Sequence, residues 1–240
     1  MKKHIPNGIT CCNLLCGCVA VLYAHNGFWT DAAICILLGA IFDFFDGFAA
    51  RLLKVSSPMG KELDSLADVI TFGLAPAVLV MELMQWLMRE CGPEQVAYSG
   101  LYALLALLIA AFSALRLAKF NIDERQTTSF IGLPTPANAL FWSALALSLR
   151  QGGWLVDFPL LAENLWWMVL VGIALSCWLL VSEIPMFALK FKHFGWKGNE
   201  LRYGFILLSL VLLLWLGIAG FSAIIVLYIL TSLVACRRKN

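Results

Sequence analysis

Charge is what this chain has least of. Charged side chains make up 13% of its 240 residues, about half the share usual in soluble domains. Hydrophobic residues make up 61% and mean hydropathy is +0.85. An ordinary soluble domain is therefore excluded, and a polytopic membrane protein is indicated. The net charge of +2 is too small to suggest a nucleic-acid partner. Histidine is scarce: His4, His25 and His193 lie in separate surface segments and read as solvated. The cysteines lack a zinc-type CxxC pair. Cys11, Cys12, Cys16 and Cys18 fall in one apolar run, where Cys serves as a small packing residue. No cleavable signal peptide is visible. The first apolar run, from about Ile9, is followed by others and is expected to be a retained helix. The length suits one membrane domain, 1–240, with no room for a soluble one.

What is present is a series of long apolar runs. A spanning helix needs about 20 mainly apolar residues. The fold class expected is all-α, a polytopic membrane bundle of eight helices near 8–25, 30–53, 61–88, 96–120, 134–150, 164–189, 201–218 and 220–236. The fifth is short and rich in small residues. Only Gly217–Gly220 separates the last two. Lys and Arg distribution tests this count. With the N-terminus in the cytosol, fifteen cations fall on the cytosolic side, and only Arg89 and Arg150 on the other. That partition supports an even number of spans with both termini cytosolic. Trp29, Trp86, Trp154, Trp166, Trp167 and Trp196 fall near span ends, as an interfacial belt would place them.

One stretch breaks the apolar pattern. Residues 43–68, DFFDGFAARLLKVSSPMGKELDSLAD, carry four aspartates. Ser57–Pro58 separates the second and third helices, because a residue before Pro is pushed out of the α region. Asp43 then lies roughly 15 Å along its helix from that loop, at the cytosolic edge of the hydrocarbon. At about 100° per residue, Asp43, Asp46, Gly47, Ala50 and Arg51 share one face, and Gly60, Asp64 and Asp68 share one face of the next helix. A short loop makes the two helices antiparallel neighbours, so the polar faces can meet.

An Asp at a membrane-helix centre costs roughly 2.5–3.5 kcal/mol, and four would also repel one another. One Arg51 cannot neutralise them, whereas two divalent cations can. Oxygen-only ligation with no nearby His or Cys suits hard ions such as Mg²⁺ or Mn²⁺. Such a pair would clamp a phosphoryl group. Gly47, Ala50 and Gly60 clear space on the same faces, either for close helix packing or for a bulky polar ligand such as a nucleotide.

The string Asp43-x2-Asp46-Gly47-x2-Ala50-Arg51-x8-Gly60-x3-Asp64-x3-Asp68 resembles the signature of the CDP-alcohol phosphatidyltransferases at every fixed position. PNGITCCNLLCG (6–17), SLADVITFGLAPA (65–77), RLAKFN (116–121), GLPTPANA (132–139) and, more loosely, VSEIPM (181–186) resemble the small membrane phosphatidylserine synthases within that family. Glu183 is a departure, where an uncharged residue is expected. The resemblance implies that Asp43, Asp46 and Asp64 ligate two metal ions, with Asp68 on one of them and also acting as general base. It implies that Gly47, Ala50 and Gly60 make room for the cytidine and ribose. Arg51 would support the diphosphate, and Asn7 and Thr10 would border the nucleotide. Homodimers are usual in the family.

The reaction so implied joins CDP-diacylglycerol to L-serine, giving phosphatidylserine and CMP at the cytosolic face of the cell (inner) membrane. Serine needs a cation and hydrogen-bonding groups, for which Arg116, Lys119, Asn121, Thr135 and Asn138 are the candidates. Gly132, Pro134 and Pro136 are expected to shape the loop and helix start. The basic stretch from Lys190 to Arg202 is expected to hold anionic membrane lipids. Glycerol 3-phosphate or an inositol phosphate would serve the same chemistry as acceptor, with a denser cationic pocket. An intramembrane prenyltransferase would need a second Asp-rich motif far along the chain. An ion-coupled transporter would be expected to show internal repeats and acids at the midplane; only one acidic block is present, towards one side.

Overall fold

The computed structural model describes residues 4–55, 57–90, 100–123, 131–151, 165–186, 195 and 199–237. His193, Trp154, Trp196 and the cations Lys190, Lys192 and Lys197 lie outside the described residues. What is described is all-helical. In order the elements are α1 (His4–His25), α2 (Trp29–Leu53), α3 (Pro58–Asp68), a π-helical turn (Val69–Leu74), α4 (Ala75–Glu90), a 3₁₀ turn (Leu105–Leu107), α5 (Leu108–Ile122), α6 (Thr135–Arg150), α7 (Leu165–Val181), α8 (Glu200–Leu216) and α9 (Ala219–Arg237). α3, the π turn and α4 form one continuous rod, so the described residues make eight rods. Four helical runs are long and apolar enough to cross a membrane: His4–His25, Trp29–Leu53, Pro58–Arg89 and Gly100–Ile122. Leu165–Val181 and Ala219–Val234 are apolar but shorter.

Local sequence explains the breaks. Ser57 is extended and its hydroxyl accepts the Gly60 N–H at 3.0 Å, while Pro58 takes the first helical position, where no N–H is needed. α2 ends at Lys54 in the left-handed region (φ 53°), and the Lys54 and Val55 N–H groups close on the Arg51 and Ala50 carbonyls. Pro76 has no N–H to give the Phe72 carbonyl, and the chain takes up an extra residue in the π turn just after Asp68. Gly217, at φ 56°, turns α8 into α9, which are separate helices as the sequence suggested. The sixth expected helix is shorter than 164–189. It stops at Val181, because Leu133 and Gly132 donate backbone hydrogen bonds to Leu179 and Ile184, and Pro185 bridges Ile131. Gly132 has φ 75°, with a Cβ position only 2.8 Å from the Leu180 carbonyl oxygen, so no side chain fits there.

α4 is the central rod. Leu79, Val80, Leu83 and Met84 are inaccessible, and they pack with Ile109 of α5, Trp142 of α6 and Ile173 of α7. α6, which looked weakest in sequence, is heavily buried. Its small residues Ala139 and Ala146 admit close neighbours. α1 packs along α2 and against α3. Leu15, Leu22, Ile34, Ile41, Phe45 and Leu52 face outward, as lipid-facing residues do.

Candidate active site

Two glycines set the site's foundation. Gly17 of α1 and Gly39 of α2 both lie against Thr71 of the π turn. A Cβ on Gly17 would be 2.8 Å from the Thr71 Cα. Only glycine lets these three segments come so close. Thr71 then donates its hydroxyl to the Asn13 carbonyl at 3.0 Å. That contact anchors α1 against the chain just beyond Asp68.

With the rods held this way, the two acidic faces meet. Asp43, Asp64 and Asp68 each place a carboxylate oxygen within 4.8 Å of the others. Asp46, one turn along α2 from Asp43, is buried and accepts the Thr10 hydroxyl at 2.6 Å. Asp68 accepts from the Asn13 side-chain amide at 3.2 Å. Thus α1 aims one donor at an aspartate of α2 and another at an aspartate of α3. Lys119 pairs with Glu183, and His25 contacts Glu82. Among the described residues, none of the four aspartates has a basic partner within 4 Å. Asp64 Oδ1 is buried and receives no hydrogen bond. An ionised carboxylate is acceptor-only, so a cluster with no basic side chain beside it among the described residues suits a bound cation. Its all-oxygen donor set, clear of His and Cys, fits a hard divalent ion.

Beside the aspartates opens a cavity of about 240 Å³. Asn7, Thr10, Gly47, Ala50 and Gly60 line it, with Asp46 and Asp64 at its acidic side. Pro6, Val55, Ser57 and Lys61 complete the wall. A Cβ on Gly47 would meet nothing within 4 Å, so this glycine fronts open space and does not serve helix packing. Gly60 differs: Ser57 Oγ and Asn7 Oδ1 lie 3.0 and 3.1 Å from its Cβ position. Arg51 is exposed and does not line the cavity.

The candidates for an acceptor pocket separate into two groups. Arg116 is buried, 7% exposed, and within electrostatic reach of Asp68. Its Nε has no hydrogen-bond partner, and its guanidinium carbon lies 5.5 Å from the Phe120 ring centre. Thr135 Oγ1 and both amide atoms of Asn138 are fully buried without partners, on the first turn of α6. Lys119 and Asn121 are engaged elsewhere. Lys119 meets Glu183 at 3.2 Å, which gives that unexpected acid a partner. Asn121 donates to Ser65 Oγ at 2.8 Å and accepts from Lys61 Nζ at 3.1 Å, tying α5 to α3.

At the other end of α1, about 20 Å by helix rise from Thr10 and Asn13, His25 meets Glu82 at 3.0 Å, and Arg150 stacks over Trp29 at 4.2 Å. The acids and their neighbouring cations therefore share one end of the bundle.

Sequence reasoning did not single out Asn13 or Lys61. Asn13 had a visible signal, an amide one turn beyond Thr10 in an apolar run. Lys61 had none, since any Lys beside a loop reads as topology.

Residues 3–178 match the family model described as CDP-alcohol phosphatidyltransferase. The chain belongs to the CDP-alcohol phosphatidyltransferase family. The match covers both the acidic cluster and the cavity beside it. The chain is similar to a CDP-diacylglycerol–serine O-phosphatidyltransferase of Bacillus subtilis, at 34% identity over 82% of this chain and 95% of the relative. It resembles proteins of the same name from Mycobacterium leprae, at 31% over 76% of this chain, and Helicobacter pylori, at 35% over 56%. Of those two it spans only 57% and 54% of the length.

Proposed function

We propose that this chain transfers the phosphatidyl group of CDP-diacylglycerol to the hydroxyl of L-serine, releasing phosphatidylserine and CMP. The observation that carries the reading is the cavity. Its wall is made of the small and polar residues the family signature would set around a nucleotide, and its acidic side adjoins a cluster of carboxylates with no basic side chain within 4 Å among the described residues. The names of the relatives favour serine among acceptors.

Asp43, Asp46, Asp64 and Asp68 would hold two divalent cations, Mg²⁺ or Mn²⁺, which would offset charge on the transferring phosphoryl and on the departing phosphate. Thr10 fixes the Asp46 carboxylate, and Asn13 fixes that of Asp68. Asn7, Thr10, Gly47, Ala50 and Gly60 bound the space for the cytidine and ribose. Asp68 takes the proton of the serine hydroxyl. The hydroxyl oxygen then bonds to the phosphorus bearing diacylglycerol, the bond from that phosphorus to the bridging oxygen breaks, and CMP leaves with that oxygen. Asp68 is a weak base by its ordinary pKa, so positioning must supply much of the effect.

Arg116 is the natural partner for the serine carboxylate. A buried guanidinium with no carboxylate within 4 Å among the described residues is costly until an anion arrives. Thr135 and Asn138 offer buried polar atoms for the same ligand. Lys119 and Asn121 contribute by holding α5 in place.

The same reading takes 1–240 as one membrane domain of eight spans. Both termini and the acidic end face the cytosol, in the cell (inner) membrane, among membrane lipids and as a homodimer. Its support is the cation asymmetry and the grouping of Lys61, Arg116 and Lys119 at the acidic end.

Purified protein with CDP-diacylglycerol, labelled serine and Mg²⁺ or Mn²⁺ tests this, with EDTA and Asp68→Asn samples alongside. Labelled lipid and CMP together, lost in both controls, are expected. CMP released with glycerol 3-phosphate but not serine would overturn the acceptor. No CMP with any acceptor, from folded protein, would overturn phosphatidyl transfer and favour an ion-coupled transporter.

A further inference from the structure

Among the described residues, the cavity beside the aspartates has one cation in its wall, and it belongs to a residue outside the family signature. Its charged lining consists of Asp46, Asp64 and Lys61. Arg51, which sequence reasoning placed at the diphosphate, is exposed and outside the wall. A diphosphate entering between Asp46 and Asp64 meets like charge on that side. It needs positive charge from the wall as well as among the carboxylates. Lys61 supplies it from α3, one turn before Asp64 and next to Gly60, whose missing side chain keeps the wall open between Ser57 and Asn7.

We propose that Lys61 is the protein cation that grips the donor's diphosphate, exchanging its present acceptor for a phosphate oxygen. This rests on the reading of the cavity as a nucleotide site. At present the Lys61 ammonium donates to the Asn121 main-chain oxygen at 3.1 Å and, among the described residues, has no carboxylate within 4 Å. A hydrogen bond to a neutral carbonyl at an exposed site is weak in net terms, whereas one between an ammonium and a phosphate is charge-assisted and stronger. The exchange is therefore downhill once a diphosphate arrives. The flexible four-carbon stem of Lys lets the ammonium move without moving α3. Lys61 also lies in the first turn of α3, and the positive end of that helix adds to the attraction for an anion. Asn121 stays tied to α3 through Ser65, so α5 keeps its anchor when Lys61 lets go.

The probe is soluble nucleotide binding to the purified full chain in excess Mg²⁺, by calorimetry, with CDP, CMP and cytidine. Lys61→Met is expected to weaken CDP about tenfold or more, the scale of one charge-assisted hydrogen bond. Cytidine affinity should not change, and Lys61→Arg should restore most of the loss. Arg51→Met should cost CDP binding less than Lys61→Met does. Wild-type CDP affinity in Lys61→Met would overturn the proposal, as would a larger loss in Arg51→Met. Equal losses for CDP and cytidine would overturn it too, by showing that Lys61 only shapes the wall. A wild-type chain that binds no CDP would overturn the nucleotide reading itself. CDP bound normally, with CMP released from CDP-diacylglycerol by another acceptor but not by serine, would overturn the acceptor alone and leave the Lys61 assignment standing.

Discussion

Gly47 separates stability from function more cleanly than any other position. It is helical, in α2, and fronts the cavity with nothing within 4 Å of a Cβ. Glycine inside a helix costs about 1 kcal/mol against alanine. Gly47→Ala is therefore expected to hold or raise the thermal midpoint of the detergent-purified protein. Gly47→Leu should also fold, since the added atoms enter open space, but it fills part of a cavity of about 240 Å³. CDP affinity should then fall at least tenfold, about 1.4 kcal/mol, with Gly47→Ala between Leu and wild type. Gly17→Ala is the control. Its Cβ would lie 2.8 Å from the Thr71 Cα and 2.9 Å from the Thr71 nitrogen, both backbone atoms that cannot swing aside. Overpacking of that kind costs roughly 1–3 kcal/mol, so this variant should lose stability. Thermal unfolding followed by tryptophan fluorescence, with CDP titration on each variant, reads both quantities. Wild-type CDP affinity in Gly47→Leu would refute the assignment of the cavity. Unfolding of Gly47→Leu as severe as that of Gly17→Ala would refute the claim that Gly47 faces open space.

Other outcomes follow from the same geometry. Asp68→Asn should lower turnover by about 10²–10⁴, the range for a positioned base, while the protein remains folded by circular dichroism; near-normal turnover would remove Asp68 from proton transfer. Thr10→Val leaves Asp46 without its 2.6 Å donor, at a cost of about 1.5–3 kcal/mol for a hydrogen bond to a charged group. The loss should be read as weaker Mn²⁺ binding by paramagnetic resonance, and unchanged Mn²⁺ affinity would count against the role of Thr10. Arg116→Met should raise the KM for serine at least tenfold and leave CDP affinity alone; a change confined to CDP would move Arg116 to the donor side. Gly132→Ala should lower thermal stability by about 1 kcal/mol or more, because it forces φ 75° on a residue with a Cβ.

Much of the site is local in origin and therefore legible without a structure. The spacing from Asp43 to Asp68 places acids and small residues on matched faces of two consecutive helices, and Ser57–Pro58 turns the chain between them. Helical periodicity and a short loop are enough for that, while the packing that holds the two helices is made by α1, which lies on both. Family membership and the all-helical fold were legible for the same reason, as were the separation of the last two helices at Gly217 and the need for a cation among unpaired carboxylates. The tertiary structure alone decided what α1 contributes. Asn13 and Asp68 are 55 positions apart, and only the seating of Gly17 and Gly39 on Thr71 brings them together. The same holds for the placement of Arg51 and Lys61. A helical wheel put Arg51 on the acidic face. The end of α2 at a left-handed Lys54, and the entry into α3 at Pro58, leave Arg51 outward and set Lys61 in the cavity wall. Periodicity along one helix fixes which residues share a face; it does not fix which face a third helix covers, because that depends on contacts made across dozens of residues of intervening chain.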